Sequence, residues 1–209
     1  MKFNRRRIKV LVELTSKCNL RCGMCPLPVL RRPYEDMEWS LVEKAEREIH
    51  GLGFKLKWLH EMGEPLLYSR IDDAIRLFPE ASISTNGLVL TEEVGAKLLG
   101  SPLKRLRISV DSINPKVYPQ LRTGGDFDKL VDMTKKFLEQ AKGHPIRIEI
   151  QKIRQGRFGY RVRAFVPQIT GGSGSVLFAT TATSNARGER RNRSRAPSGS
   201  PPESRASPR

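Results

Sequence analysis

All three cysteines of the chain stand in one stretch, Cys18-Asn-Leu-Arg-Cys22-Gly-Met-Cys25, in the spacing C-x3-C-x2-C. Three thiolates this close in sequence can wrap one compact inorganic centre from a single loop, and zinc and iron–sulfur clusters are the candidates. Structural zinc asks for four ligands, usually two close pairs of Cys or His. Here the triplet is unequal, there is no fourth cysteine, and His50, His60 and His144 all lie downstream. A cube-shaped [4Fe–4S] cluster on three cysteines leaves one iron without a protein ligand, open to a substrate or cofactor. That fits the count better than zinc or than three unpaired thiols.

Further along stand other groups with chemical capacity. In Gly63-Glu64-Pro65 a glycine lets a ligand approach the backbone and a carboxylate pairs with an ammonium. Ser84-Thr85-Asn86-Gly87 joins a polar side chain, Asn86, to a turn pair. Ser109 and Asp111 share one face of a strand at period two and suit hydrogen bonds to hydroxyl groups. Tyr118-Pro-Gln-Leu-Arg122 ends on a planar guanidinium matched to a carboxylate. His60 and Glu61, just before Gly63, face the same region or pack beside it. His50 and His144 read as surface residues.

The elements that position these groups alternate. Strands are expected over 7–14, 54–59, 81–85, 106–110 and 146–150, from alternating or branched apolar residues. Helices are expected from Trp39 to Ile49, Ile71 to Phe78, after a Thr91 cap, and from Asp126 or Phe127 to Lys142. Crossovers of this length give parallel pairing, and the right-handed crossover rule curves the sheet into an incomplete parallel β/α barrel. Sites in such folds sit at the carboxyl ends of the strands. The cysteines, Gly-Glu-Pro, Ser-Thr-Asn-Gly and Ser-Val-Asp-Ser each fall at such an end.

With these residues in view, the segment from about 8 to 153 resembles the radical S-adenosylmethionine (radical SAM) superfamily. C-x3-C-x2-C after a strand matches that family's signature, with Met24 where an aromatic residue often precedes the third cysteine. The resemblance implies a [4Fe–4S] cluster on Cys18, Cys22 and Cys25. It also implies S-adenosylmethionine (SAM) bound by Gly63, Glu64, Asn86, Ser109, Asp111 and Arg122. In this family SAM is cleaved reductively to a 5′-deoxyadenosyl radical that abstracts hydrogen from a substrate. An external electron donor of the flavodoxin or ferredoxin kind is implied with it. Met62-Gly63 stands where the family has a double glycine. The stretch from the cysteines to Arg122 is most similar to relatives whose cysteine-rich SPASM extensions bind auxiliary clusters, yet no cysteine follows Cys25.

Charge divides the chain of 209 residues unevenly: residues 1–153 carry a net +7 and residues 154–209 a net +9, toward a total of +16. The last quarter has eleven arginines, no lysine and two acids. Residues 1–153 read as the core and 154–183 as its end or a linker. Within the latter, 161–168 is open to helix or strand, Gly171–Gly174 is flexible, and 176–182 is a possible sixth strand. Residues 184–209 read as a disordered Arg/Ser/Pro-rich tail. The loss of pattern after the fifth strand is expected of a truncated or frame-shifted core. An inactive remnant is one alternative reading, and an iron–sulfur or zinc nucleic-acid-binding protein using the basic tail is another. No run of about 18 apolar residues predicts a membrane span, no secretory signal is read at the N-terminus, and clustered free thiols suit the cytoplasm.

Overall fold

The computed structural model describes residues 8–156 and 159–165, with side chains to Lys152. The expectations for residues 1–7, for the linker and possible strand at 171–182, and for the tail from 184 lie outside the described residues.

Strands β1 (Val10–Leu11), β2 (Leu56–Trp58), β3 (Ile83–Thr85), β4 (Arg105–Ser109) and β5 (Arg147–Gly156) follow one another with helices between them. These are α1 (Trp39–Gly51), α2 (Ile71–Leu77), α3 (Glu92–Leu99), the single turn α4 (Tyr118–Leu121) and α5 (Phe127–Gln140). β1 pairs parallel to β2, and β3, β4 and β5 pair parallel in sequence order. A parallel bridge from Trp58 to Ser82, with Leu59 N–H donating to Ser82 O at 3.0 Å, links the two groups. The result is the expected curved, partial β/α barrel. β6 (Gly159–Phe165) departs from the repeat, returning antiparallel along β5 as a hairpin. It covers most of the segment 161–168, whose sequence is equally open to helix or strand.

Period two divides the faces of the sheet. Leu106 and Ile108 of β4 are fully buried and join Leu98, Leu130 and Phe137 in the core under the helices. On the opposite, concave face of β4 and β5 stand Arg105, Arg107 and Ser109, and Arg147, Glu149 and Gln151. Gly95 lets α3 and α5 meet closely, since a Cβ there would lie 2.4 Å from Gln140 Oε1 and 3.1 Å from Phe137. Thr91 and Asp126 cap α3 and α5 by accepting from Val94 N–H at 3.2 Å and Lys129 N–H at 3.0 Å, each worth about 1 kcal/mol. Gly53, at φ 71, closes α1. Among the described residues no helix is long and apolar enough to cross a membrane.

Candidate cofactor site at the strand ends

β1 is shorter than its sequence predicts: only Val10 and Leu11 pair with β2, with a shift of register between them, and Val12 N–H donates to Trp58 O at 3.1 Å. Residues 35–37 return antiparallel along 14–16, with Ser16 N–H to Glu35 O at 2.9 Å and Met37 N–H to Leu14 O at 2.7 Å. This brace fixes where the cysteine loop begins. Leu20, 2% exposed, plugs the loop into the core, and Arg21 N–H donates to Thr123 O at 2.9 Å, docking it beside α4. Tyr34 closes the outside, its hydroxyl bonded to the Cys18 peptide group.

The loop and the strand ends together line one cavity of about 280 Å³. Cys18, Cys22 and Cys25 form one side, and Gly63, Glu64, Asn86, Ser109 and Arg122 reach it from the ends of β2, β3, β4 and α4. Cys22 is buried and the other two cysteines are half-buried. Burial pushes the Cys18 and Cys22 thiols up, and neighbouring acids and thiols add to it, so binding a metal centre here releases protons. Leu20 N–H lies 3.5 Å and Asn86 Nδ2 4.0 Å from Cys18 Sγ, and Arg122 Nη1 lies 4.0 Å from Cys22 Sγ.

Several predicted residues have internal partners that the sequence did not reveal. A Cβ on Gly63 would stand 1.9 Å from Thr15 O, so its bareness serves the approach of β1's continuation. Glu13 pins the same turn by accepting from Met62 and Gly63 N–H at 2.8 and 2.9 Å while it pairs with Arg32. Burial opposes charge on Glu13, yet Arg32 and the two N–H groups hold its carboxyl below the usual range. Glu64, expected to meet an ammonium, spends its carboxylate on the neighbouring strand. Oε1 accepts from Thr85 Oγ1 at 2.7 Å and Leu66 N–H at 3.2 Å, and Oε2 from Asn86 N–H at 2.7 Å. Asn86 in turn donates to Asn19 Oδ1 at 2.8 Å and accepts from Leu88 N–H at 2.9 Å, an Asx turn that ties β3's end to the cysteine loop.

Asp111, which the resemblance sets against a ribose hydroxyl, has its backbone at φ 61 and its side chain paired with Arg122. Arg122 Nε and Nη2 donate to Asp111 Oδ2 at 2.7 and 2.6 Å. Ser109 lines the cavity, its hydroxyl 3.5 Å from that of Ser84.

Sequence reasoning passed over one wall residue, Gln151, and placed another, His60, in this region without its partners. Gln151 lies opposite Ser109 in the β4–β5 register, is 8% exposed, and its Oε1 is buried without a hydrogen-bond partner among the described residues. Continuing period two one residue past the strand predicted to end at Ile150 would have found it. His60 accepts from Ser84 N–H through Nδ1 at 3.2 Å, which leaves the proton of its neutral form on Nε2. Burial, then the charge of Arg107, push its pKa down to about 4, so the imidazole is neutral at pH 7.

Fold and site define a class: a partial parallel barrel that presents three thiols and a polar wall at its strand ends. The family model of the radical SAM superfamily matches residues 12–146, and the chain belongs to that superfamily. A GTP 3′,8-cyclase of Limosilactobacillus fermentum is 33% identical over 135 residues, 59% of this chain and 39% of its own. A probable GTP 3′,8-cyclase of Archaeoglobus fulgidus is 31% identical over 131 residues, 61% of this chain and 44% of its own. The chain thus matches less than half the length of these curated relatives. Among solved structures, Streptococcus suis SuiB bound to S-adenosylmethionine superposes with a TM-score of 0.56 at 21% identity, over 71% of this chain and 35% of SuiB. A histidine-tagged anSMEcpe with bound AdoMet gives 0.55 at 21%, over 68% and 42%. At that identity the structures establish the shared fold.

Radical SAM proteins use a [4Fe–4S] cluster and SAM, and the donor set here fits the cluster. The candidate ligands are three thiols from one loop, a set that a cluster can take one to each of three irons.

Proposed function

We propose that this chain is the cluster- and SAM-binding core of a radical SAM enzyme, with Cys18, Cys22 and Cys25 each holding one iron. The observation that supports it is convergence: the cysteine loop and the ends of β2, β3, β4 and α4 all reach one cavity. When bound, the cluster and SAM supply a one-electron cleavage that yields methionine and a 5′-deoxyadenosyl radical able to abstract hydrogen. The electron comes from an external reductant.

The chain's own residues prepare the place. Glu13, Gly63 and Glu64 hold the β2 turn against the cysteine loop, so the wall facing the thiols is set by backbone hydrogen bonds. Ser109 and Ser84 offer hydroxyls, and Gln151 a free acceptor, to the hydroxyl groups of a bound nucleoside. Arg122, the one cation among the described residues lining the cavity, is the partner for SAM's carboxylate. His60 stays neutral and adds no second cation. The relatives named GTP 3′,8-cyclase make a purine nucleotide the first substrate to assay.

The test is anaerobic reconstitution of the full chain with iron and sulfide, followed by SAM and dithionite, with chromatography of the products. Release of 5′-deoxyadenosine and methionine, abolished in Cys22→Ala, is the expected result. A loaded protein that forms neither product overturns the enzymatic reading in favour of an inactive core.

A further inference from the structure

We infer that Arg122, held in place by Asp111, tunes the reduction potential of the centre on the cysteine loop by donating to the Cys22 sulfur. The inference rests on the reading that this loop carries a [4Fe–4S] cluster, and it gives Arg122 a role in the absence of SAM. Asp111 takes Nε and Nη2 of the guanidinium through one oxygen, at 2.7 and 2.6 Å, which fixes the plane of the fork. In that plane Nη1 comes to 4.0 Å from Cys22 Sγ.

All three groups are withdrawn from water. The Asp111 side chain is 0% exposed, that of Arg122 13%, and Cys22 7%. Hydrogen bonds strengthen in such low-dielectric surroundings. Asp111 reaches its place at a cost, since φ 61 is a left-handed conformation for a residue with a side chain. Gln151 O accepts its N–H at 3.3 Å, and Val110 O accepts from Ser112 N–H at 2.7 Å, so the strand end holds the turn. Such a turn sends the carboxylate behind Arg122 instead of onto the cavity wall.

Reduction adds one electron from the external donor to the cluster, with no bond made or broken in the protein. With three thiolates, the cluster moves from a net charge of about −1 to about −2. A donor aimed at a ligand sulfur stabilises the more negative state and raises the potential. The pairing with Asp111 offsets much of the guanidinium's monopole and leaves a directed N–H. Arg122 therefore eases electron entry, on the same side of the cavity where it awaits a carboxylate.

The experiment is a dye-mediated redox titration of the anaerobically reconstituted full chain without SAM, so that loss of grip on SAM cannot enter. The reduced signal is read by electron paramagnetic resonance, and iron and sulfide are counted in every variant. At the wild-type midpoint, Arg122→Met is expected to show a reduced-to-oxidised ratio about tenfold lower, which is 59 mV for one electron. Arg122→Lys, with charge but no fork, is expected to fall between. If Arg122→Met holds no cluster, the lysine variant decides alone: a midpoint below wild type supports the inference, and an equal midpoint overturns it. Equal midpoints for Arg122→Met and wild type at equal iron content overturn this inference alone. A wild-type chain that takes up no cluster overturns both it and the reading beneath it.

Discussion

Glu64 and Glu149 are equally withdrawn from solvent, 2% and 1% exposed, and they are satisfied by opposite means. Glu64, at the carboxyl end of β2, is held by a hydroxyl and two backbone N–H groups. Burial pushes its carboxyl above the usual range in spite of those bonds, with Arg122 the cation that eases it. Glu149, near the start of β5, binds Arg105 at 2.7 Å, Arg107 at 3.2 Å and Arg147 at 3.0 Å. Burial opposes its charge too, yet Arg105 and Arg107 hold its carboxyl below the usual range. Arg105 and Arg107 also stack over Trp58, 5.1 and 4.3 Å from the ring centroid. The buried glutamate of the half-barrel's floor is thus held by full charges and that of the site end by dipoles, while Arg122 at the site end pairs with Asp111.

The largest effect is expected at the floor. Glu149→Ala leaves three guanidinium groups around an empty place and is expected to cost about 3 kcal/mol or more, as for a buried ion pair that loses one partner. Urea unfolding measures it; a loss under about 1 kcal/mol would mean that solvent already screens the floor and would break the comparison.

These partners were illegible in sequence because they are long-range. Glu149 meets Arg105 and Arg107 across the β4–β5 register, and Glu64 meets Thr85 and Asn86 from the next strand. By contrast, the placing of the polar motifs at strand ends was legible, since it needs only hydrophobic periodicity and the parallel crossover. The cysteine spacing likewise declares a single loop. What periodicity cannot supply is the direction of a side chain at the turn beyond a strand. Asp111 shares a period-two face with Ser109 on paper, but its left-handed φ breaks that alternation. The hairpin β5–β6 was equally hidden, because Arg161 to Phe165 carries no pattern that separates helix from strand.

His60 joins the two regions and gives the next effect. Its folded pKa of about 4 lies below the ordinary value of 6.5. The folded state therefore binds fewer protons than the unfolded chain between those values. Stability from this group is complete above pH 6.5 and is lost as pH falls through 4, by about 3 kcal/mol in all. His60→Gln, which keeps an acceptor for Ser84 N–H, is expected to flatten this part of the stability–pH curve. An unchanged slope would mean that Arg107 and burial do not act on the imidazole.

The smallest effect is expected at Glu64. A glutamine there keeps one oxygen for Thr85 and Leu66 but turns an amide toward Asn86 N–H, a loss of about 1–3 kcal/mol offset by removing a buried charge. Net destabilisation near pH 7 of about 1 kcal/mol or less is expected. Because the folded carboxyl is raised, wild-type stability from this group falls as pH rises above its ordinary value near 4.5. Glu64→Gln removes that fall, whereas Glu149→Gln removes the opposite one, a loss of stability as pH drops through the lowered value of Glu149. Equal and parallel changes in the two variants would erase the distinction between dipoles and charges.

The most direct test of the account is electron paramagnetic resonance of the reconstituted, reduced protein with and without SAM. The account predicts a reduced [4Fe–4S] signal that changes when SAM is added, as an iron without a protein ligand requires. A cluster signal indifferent to SAM would contradict the open-iron site, and no cluster at all would contradict the reading of Cys18, Cys22 and Cys25.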